Sequence, residues 1–426
     1  MKHIESLFTF LDQSPTPFHA VDTVARTLRH NGFTPLDPRQ TWHIEPGARH
    51  YVVKNGSAIF AFIAGTQPEA GWRIISAHSD SPGFRIKPNA QINTGKYIKL
   101  NTEVYGGPIL YTWFDRPLSI AGRVYTHTQA DPFNPTPILV DFKRPMVTIP
   151  HLAIHFNRQV NEGNPLSRQK DMLPVAGIDG DRLDHDFLLY NLCQLTGLQS
   201  ADIANYELLL YDTTPPCTIG PDHALIQGSR LDDLMMVHAA VTALGNSDGS
   251  TPQTRLVAIF DNEETGSATK QGASSPTLHN LLQRINMAMG APAEAYFRAI
   301  DSSFMISADN AHALHPNYPE KHDPTNHPVP GRGPVIKINA NGKYMTDAET
   351  ANIFASICRR AGVPVQYFVN HSDVAGGSTL GNILTSQIDL RGVDMGAAQW
   401  AMHSCRETAG AADVDYTIRA FSQFFS

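Results

Sequence analysis

The sequence predicts an α/β protein: a mixed, largely parallel sheet flanked by helices, with a β-rich domain inserted into it. Three observations carry this. Apolar runs of strand length alternate with helix-length amphipathic patterns over 1–90 and again over 223–426, the rhythm of a parallel sheet covered on both faces. Between 91 and 222 the texture changes to short strand-like pieces crowded with turn residues, as in EVYGGPILYTWFDRPLSIAGRVY. The 426 residues also exceed the roughly 250 to 300 at which a single core splits, so two domains are expected, 1–90 with 223–426 and the insert 91–222.

Taken in order, the chain opens on helical patterns at 4–11 and 18–29, separated by the breaker SPTP. Gly and Asn turns then divide three short strands, 51–53, 57–62 and 73–77. The insert holds one expected helix, near 185–195. After Gly220-Pro221-Asp222 a helix at 232–244 leads to the strand 255–260, and a helix near 276–289 leads to strands at 304–307 and 335–339. A helix at 347–361, a strand at 365–369, a final strand near 388–393 and a helix near 413–424 complete the chain.

Charge and cysteine usage narrow the function. A formal net charge of −7 with no long basic run offers no footprint for nucleic acid or an anionic membrane, which leaves a peptide or small molecule as partner. The opening MKHIESLFTFLDQS has polar and acidic residues where a signal peptide needs an apolar segment, and no later run approaches about 18 apolar residues. A soluble, cytoplasmic protein is expected. Cys193, Cys217, Cys358 and Cys405 lack CxxC spacing, which argues against a disulfide framework or a cysteine zinc cluster.

In open α/β sheets, ligands and catalytic groups gather past the carboxyl ends of strands. His78 and Asp80 follow the strand 73–77, Glu263 and Glu264 follow 255–260, Asp309 follows 304–307, and His403 follows the last strand and its loop. Imidazoles and carboxylates together suit a borderline divalent metal, zinc above all. Two such ions about 3.5 to 4 Å apart need a carboxylate between them, and Asp232 in SRLDDL is the candidate. Taken singly each residue has a plainer reading: Asp232 as a helix cap, the Glu pair as a solvated turn. Two like charges against an apolar strand repel unless a cation or proton intervenes, and acids at successive strand ends favour metal. The adjacent pair divides the labour, one carboxylate on metal and its neighbour left to move protons.

HSDSPGFRIKP, SRLDDL, DNEETGS, SADNAHALHPNYPEKHDPTNHP, GPVIKINANGKY and AMHSCRE resemble the signature segments of the M18 aspartyl aminopeptidases, dinuclear zinc exopeptidases, and the likeness covers essentially the whole chain. It implies a fold of the zinc exopeptidase type. It also implies two zinc ions per subunit, with Co2+ or Mn2+ as possible substitutes. Asp232 would bridge them, His78 and Asp309 completing one site, Glu264 and His403 the other. Glu263 would be general acid/base for a dizinc-activated water, and Asp80 would hydrogen-bond the His78 imidazole to fix its tautomer.

The resemblance further implies removal of N-terminal Asp or Glu from peptides, with Lys337 receiving the substrate carboxylate and Lys343 as the alternative. Strand alternation alone would make Lys337, on the face of Val335 and Asn339, an ordinary solvent-facing lysine. His312, His315, His322 and His327 are irregularly spaced among prolines, so His312 and His315 are expected to line the pocket rather than to build a third metal site. His151 and His155 would share one strand face. In the family the insert is a dimerisation domain from which the residue matching His155 reaches the neighbour's active site, and members assemble as tetrahedral dodecamers. Asp261 has no role on this reading. The rivals are deacylation of N-acyl amino acids on the same scaffold and a catalytically silent metal-binding or peptide-binding assembly.

Overall fold

The computed structural model describes residues 2–127, 131–178, 186–248 and 251–426. Chain contacts divide it into a larger unit, Met1–Asp80 with Pro216–Met402 and Glu407–Ser426, and a smaller one, Ser81–Pro215 with His403–Arg406. The expected break at 90 falls inside the strand Gly83–Thr94, whose pairing with Tyr97–Tyr105 keeps it in the smaller unit. Gly220-Pro221-Asp222 turns the hairpin between Cys217–Ile219 and Leu225–Gly228.

Among the described residues, nine strands form the main sheet of the larger unit. Their order is Thr34–Pro35, Arg49–Lys54, Ala58–Ile63, Thr254–Phe260, Trp72–His78, Phe304–Ala308, Gly392–Gly396, Val335–Lys337 and Gln366–Phe368. The four central strands, from Thr254–Phe260 to Gly392–Gly396, run parallel, and antiparallel pairings enter only outside them. Register aligns their carboxyl ends, with Phe260 opposite His78 and Ser307 opposite Ser76. The loops after Thr254–Phe260, Trp72–His78 and Phe304–Ala308 therefore leave from one edge.

Alternation sends successive side chains to opposite layers. Ile59, Ala61, Ile63 and Val257 pack under the helices Pro17–His30, Leu231–Gly245, Ala348–Arg360 and Ala411–Phe425. Phe60, Phe62, Trp72 and Leu256 pack under Thr277–Ala288, Ala293–Asp301 and Leu380–Thr385. Each large apolar side chain buried this way contributes about 1.5–3 kcal/mol. The strand expected near 388–393 is Gly392–Gly396, because Ile388 and Leu390 are spent on the second layer's core, and it is not the final one: Ala398–Trp400 and Glu407–Gly410 follow.

The helix Leu231–Gly245 is buried on nearly every face, as suits a helix between core layers. Its first residues are not helical: Asp232 sits at φ −83°, ψ 108° and Asp233 at φ −118°, ψ 17°. Asp232 thus projects from an extended corner ahead of the helix. A five-stranded sheet, Cys217–Ile219, Leu225–Gly228, Glu407–Gly410, Ala398–Trp400 and Ala311–His312, completes this unit.

Among the described residues the smaller unit holds a six-stranded antiparallel sheet ordered Ile138–Asp141, Leu118–Thr126, Ile203–Asp212, Gly83–Thr94, Tyr97–Tyr105 and Val175–Ile178. Phe84, Trp113, Leu118, Ile120, Leu208 and Leu210 form its core. Its helix runs Phe187–Thr196, capped by Asp186, whose Oδ1 accepts from Leu189 N–H at 2.9 Å, and ended by Gly197 at φ +74°. The expected start at His185 lies outside the described residues. Residues 151–157 do not form the expected strand; they run through turns, with the His151 ring 4.5 Å edge-on from that of Phe114.

Candidate metal centre

At the carboxyl edge of the main sheet, ligand atoms of His78, Asp232, Asp233 and Asp309 lie within 4.8 Å of one another, and those of His78, Glu263 and Glu264 do likewise. Each residue arrives by a separate route. His78 ends the strand Trp72–His78, while Glu263 and Glu264 occupy a single 3-10 turn, Glu263–Thr265, just past Thr254–Phe260. Asp309 follows Phe304–Ala308, and the bare Gly396 beside it is required, since a Cβ there would stand 2.0 Å from Asp309 O.

Asp80 does more than the sequence suggests. Its Oδ1 lies 3.4 Å from His78 Nδ1, and its backbone O is 3.0 Å from the same nitrogen. On the other side of the ring, Nε2 lies 3.7 Å from Asp232 Oδ1. The same carboxylate accepts the backbone N–H of both Glu263 and Glu264, each at 3.2 Å. One side chain therefore sets an imidazole and the turn that carries the glutamate pair.

Three residues without an assigned role belong to this lattice. Asp233 is fully buried and its Oδ2 accepts from His78 N–H at 3.1 Å. Asn310 Nδ2 donates to Leu231 O, and Glu407 Oε2 accepts from Asp232 N–H, both at 2.8 Å. The second acid of SRLDDL was a local signal for Asp233. Nothing local marks Asn310 or Glu407, whose partners lie 79 and 175 positions away.

Charge is concentrated beyond what the chain itself balances. Burial raises Glu263 to about 8; His78 opposes this, and Asp309, Asp80 and Asp232 reinforce it. Burial, then Asp232, pushes Glu264 well above the carboxylate range. Asp309 is raised by burial against the pull of Lys337. Burial lowers His78, but Asp233, Asp232 and Asp80 outweigh it and leave the imidazole well above its ordinary value. Carboxylates so arranged demand protons or cations. Asp233 Oδ1, buried without a hydrogen-bond partner among the described residues, adds to the deficit. A nitrogen and oxygen donor set of this density fits a divalent ion of the zinc type.

The other expected residues fall in three places. Lys337 is not solvent-facing: it is 3% exposed, its Nζ donating to Asn310 O at 2.9 Å and lying 3.6 Å from Asp309 Oδ2. Lys343 is exposed. His312 pairs in the short strand Ala311–His312, its ring 5.8 Å from Phe368, and His315 lies beside Tyr318. His322 Nε2 accepts from His315 N–H and His315 Nδ1 from Asn317 N–H, so both nitrogens are taken by backbone. His403 belongs to the smaller unit, where its Nδ1 is 3.1 Å from Gly107 O, and His155 lies in the turns of 151–157. Asp261 is buried beside the site and raised to about 7 by burial and then Asp80, its Oδ1 accepting from Asn262 N–H.

Residues 10–425 match the family model described as Aminopeptidase I zinc metalloprotease (M18). A probable M18 family aminopeptidase 2 of Clostridium novyi (strain NT) is 45% identical over 430 residues, covering 100% of this chain and 99% of the relative. A chain of the cryo-EM structure of the Ape4 and Nbr1 complex superposes with a TM-score of 0.95 at 34% identity, over 99% of this chain and 85% of that one. The S. cerevisiae mApe1 dodecamer gives a TM-score of 0.87 at 28% identity, over 99% and 95%.

Proposed function

Because the chain belongs to the M18 family of zinc aminopeptidases, we propose that it removes N-terminal Asp and Glu from peptides. Two zinc ions are assigned to the site, with Co2+ or Mn2+ able to replace them. Asp232 would serve both, His78 and Asp309 would complete one site, and Glu264 and His403 would complete the other. The observation that carries this reading is the Asp80 carboxylate, which orients His78 and pins the backbone of Glu263 and Glu264 together.

Bound there, the metals supply Lewis acidity, lowering the pKa of a water and polarising the scissile carbonyl. Glu263 is the base that takes the proton and the acid that returns it to the leaving amine. Its neighbour Glu264 would be committed to metal, and Asp80 fixes the backbone that carries both. Lys337 provides the positive charge that an acidic substrate side chain requires, and His312 and His315 line the pocket. Because the same ammonium faces Asp309, replacing Lys337 acts on metal as well as on specificity.

The smaller unit is assigned to self-association, first as dimers and then as a tetrahedral homododecamer. Support comes from the mApe1 dodecamer and from large apolar side chains on this unit, Phe133 at 91% and Phe156 at 81% exposed among them. His155 is assigned to act in a neighbouring subunit's active site. Among the described residues no helix is long and apolar enough to cross a membrane, and we place the protein in the cytoplasm. The test is hydrolysis of Asp-Xaa, Glu-Xaa and Leu-Xaa dipeptides and of N-acyl amino acids. Preference for the acidic dipeptides is expected; activity confined to acylated amino acids would overturn the reading.

A further inference from the structure

The peptide unit between Leu231 and Asp232 is held at both of its polar groups by remote, buried side chains. Asn310 Nδ2 donates to the Leu231 carbonyl and Glu407 Oε2 accepts from the Asp232 N–H, each at 2.8 Å. Asn310 is itself fixed, its Oδ1 accepting from Ala397 N–H at 3.3 Å and its carbonyl accepting from Lys337 Nζ at 2.9 Å. One residue on, Asp233 Oδ2 accepts from His78 N–H. Three separate chain segments thus close on the corner that carries Asp232, and two of them present His78 and Asp309 to the same cluster.

Satisfying a helix terminus does not require this. The first N–H groups of a helix are ordinarily met by a Ser, Thr, Asp or Asn side chain from the preceding residue. Asp232 and Asp233 are not helical, so the Asp232 N–H lies ahead of the helix, and the strand Glu407–Gly410 supplies its acceptor from 175 positions away. Glu407 is 2% exposed, so its carboxylate is taken out of water, a desolvation that a serine hydroxyl does not incur to the same degree. What the costlier arrangement adds is direction. A peptide plane anchored at both ends cannot rotate, and the Asp232 side chain that springs from it keeps its aim toward His78 Nε2. Metal sites tolerate only about 0.5 Å of ligand displacement.

We infer that Glu407 and Asn310 are positioning residues for the Asp232 carboxylate, and that their clamp on the Leu231–Asp232 peptide sets the affinity of the site for metal. This rests on the reading of Asp232 as a metal ligand. The test compares wild type with Glu407→Ala, Glu407→Gln, Asn310→Ala and Asp232→Asn. Zinc dissociation constants are measured by chelator competition, and unfolding of each metal-free protein is followed separately. Glu407→Ala and Asn310→Ala are each expected to weaken zinc binding by roughly 10- to 100-fold. Glu407→Gln, which keeps an acceptor oxygen for the Asp232 N–H, should recover most of that loss.

A purely structural role would lower the melting temperature of the metal-free protein and leave zinc affinity unchanged. Wild-type zinc affinity in both alanine variants, with binding lost in Asp232→Asn, would overturn the inference and spare the ligand reading. Wild-type affinity in Asp232→Asn would overturn both. If Glu407→Ala does not fold, Asn310→Ala decides: weakened binding supports the clamp, and unchanged binding sinks it.

Discussion

At the strand ends of the larger unit, His78, Asp80, Asp233 and Asn310 are all 2% exposed or less and tied by hydrogen bonds to backbone. Along 151–157 of the smaller unit, Leu152, Ile154 and Phe156 stand 55%, 46% and 81% exposed. The first region has placed its polar groups against partners within the same chain, at the expense of packing like charges together. In the second, apolar surface remains in water, where covering it is worth about 25 cal/mol per Å2. A region finished by its own chain should fail by losing chemistry when altered. One awaiting another surface should fail by losing assembly.

The sharpest break in the first region separates the two glutamates. Glu263→Gln is expected to keep its metal content and lose roughly 100- to 10,000-fold in turnover, the span of general acid–base catalysis. Glu264→Gln should lose metal, and activity with it. Metal content and kcat on an Asp-Xaa dipeptide, measured on the same preparations, distinguish them; full activity in metal-replete Glu263→Gln would end the proposed mechanism. Asp80→Asn comes next. Its amide can serve His78 or the glutamate turn but not both with acceptors, so zinc affinity should fall by roughly 10- to 100-fold while the metal-free fold persists.

The same contrast governs what was legible in advance. His78, Glu263, Glu264 and Asp309 follow strands whose apolar runs are plain in the sequence, so a rule about strand ends finds them. Asp232 is legible by its chemistry, although its corner is extended rather than a helix cap. Glu407 and Asn310 are invisible because their partners are remote in sequence, and hydrogen bonds of that kind leave no periodicity. Lys337 misleads for a related reason: alternation suggests solvent, but neighbouring strands and Asp309 enclose it. In the smaller unit the alternation of His151 to His155 suggests a strand that finds no partner, and the segment turns instead. Pattern reads faces; it does not read what pairs with them.

For the second region, Phe156→Asp is expected to weaken self-association by roughly 30-fold or more, the effect of losing an interface anchor worth about 2 kcal/mol. Sedimentation velocity over a concentration series reads this directly. Zinc content per chain should stay at the wild-type value, since Phe156 is not among the residues assigned to metal and stands 81% exposed. An unchanged oligomer would remove 151–157 from the proposed interface.

The smallest effect sharpens the comparison from inside the metal-bearing unit. His238 lies on the helix that begins beside Asp232, but its burial is not matched by neighbouring acids: its Nε2 meets Ser6 Oγ at 3.0 Å, and Phe10 packs 5.9 Å away. Burial, with a small contribution from His3, lowers its pKa from 6.5 to about 4. The unfolded chain therefore binds the proton more tightly than the folded one. The stability this confers is complete above about pH 6.5 and is lost as pH falls toward 4. Between pH 7 and pH 5 it amounts to about 2 kcal/mol. Urea unfolding of metal-free wild type and His238→Gln at both pH values checks it, because chelation removes the pH dependence of metal binding from the comparison. The glutamine variant should lose less stability than wild type on going to pH 5, and equal losses would mean that His238 is protonated in the folded chain.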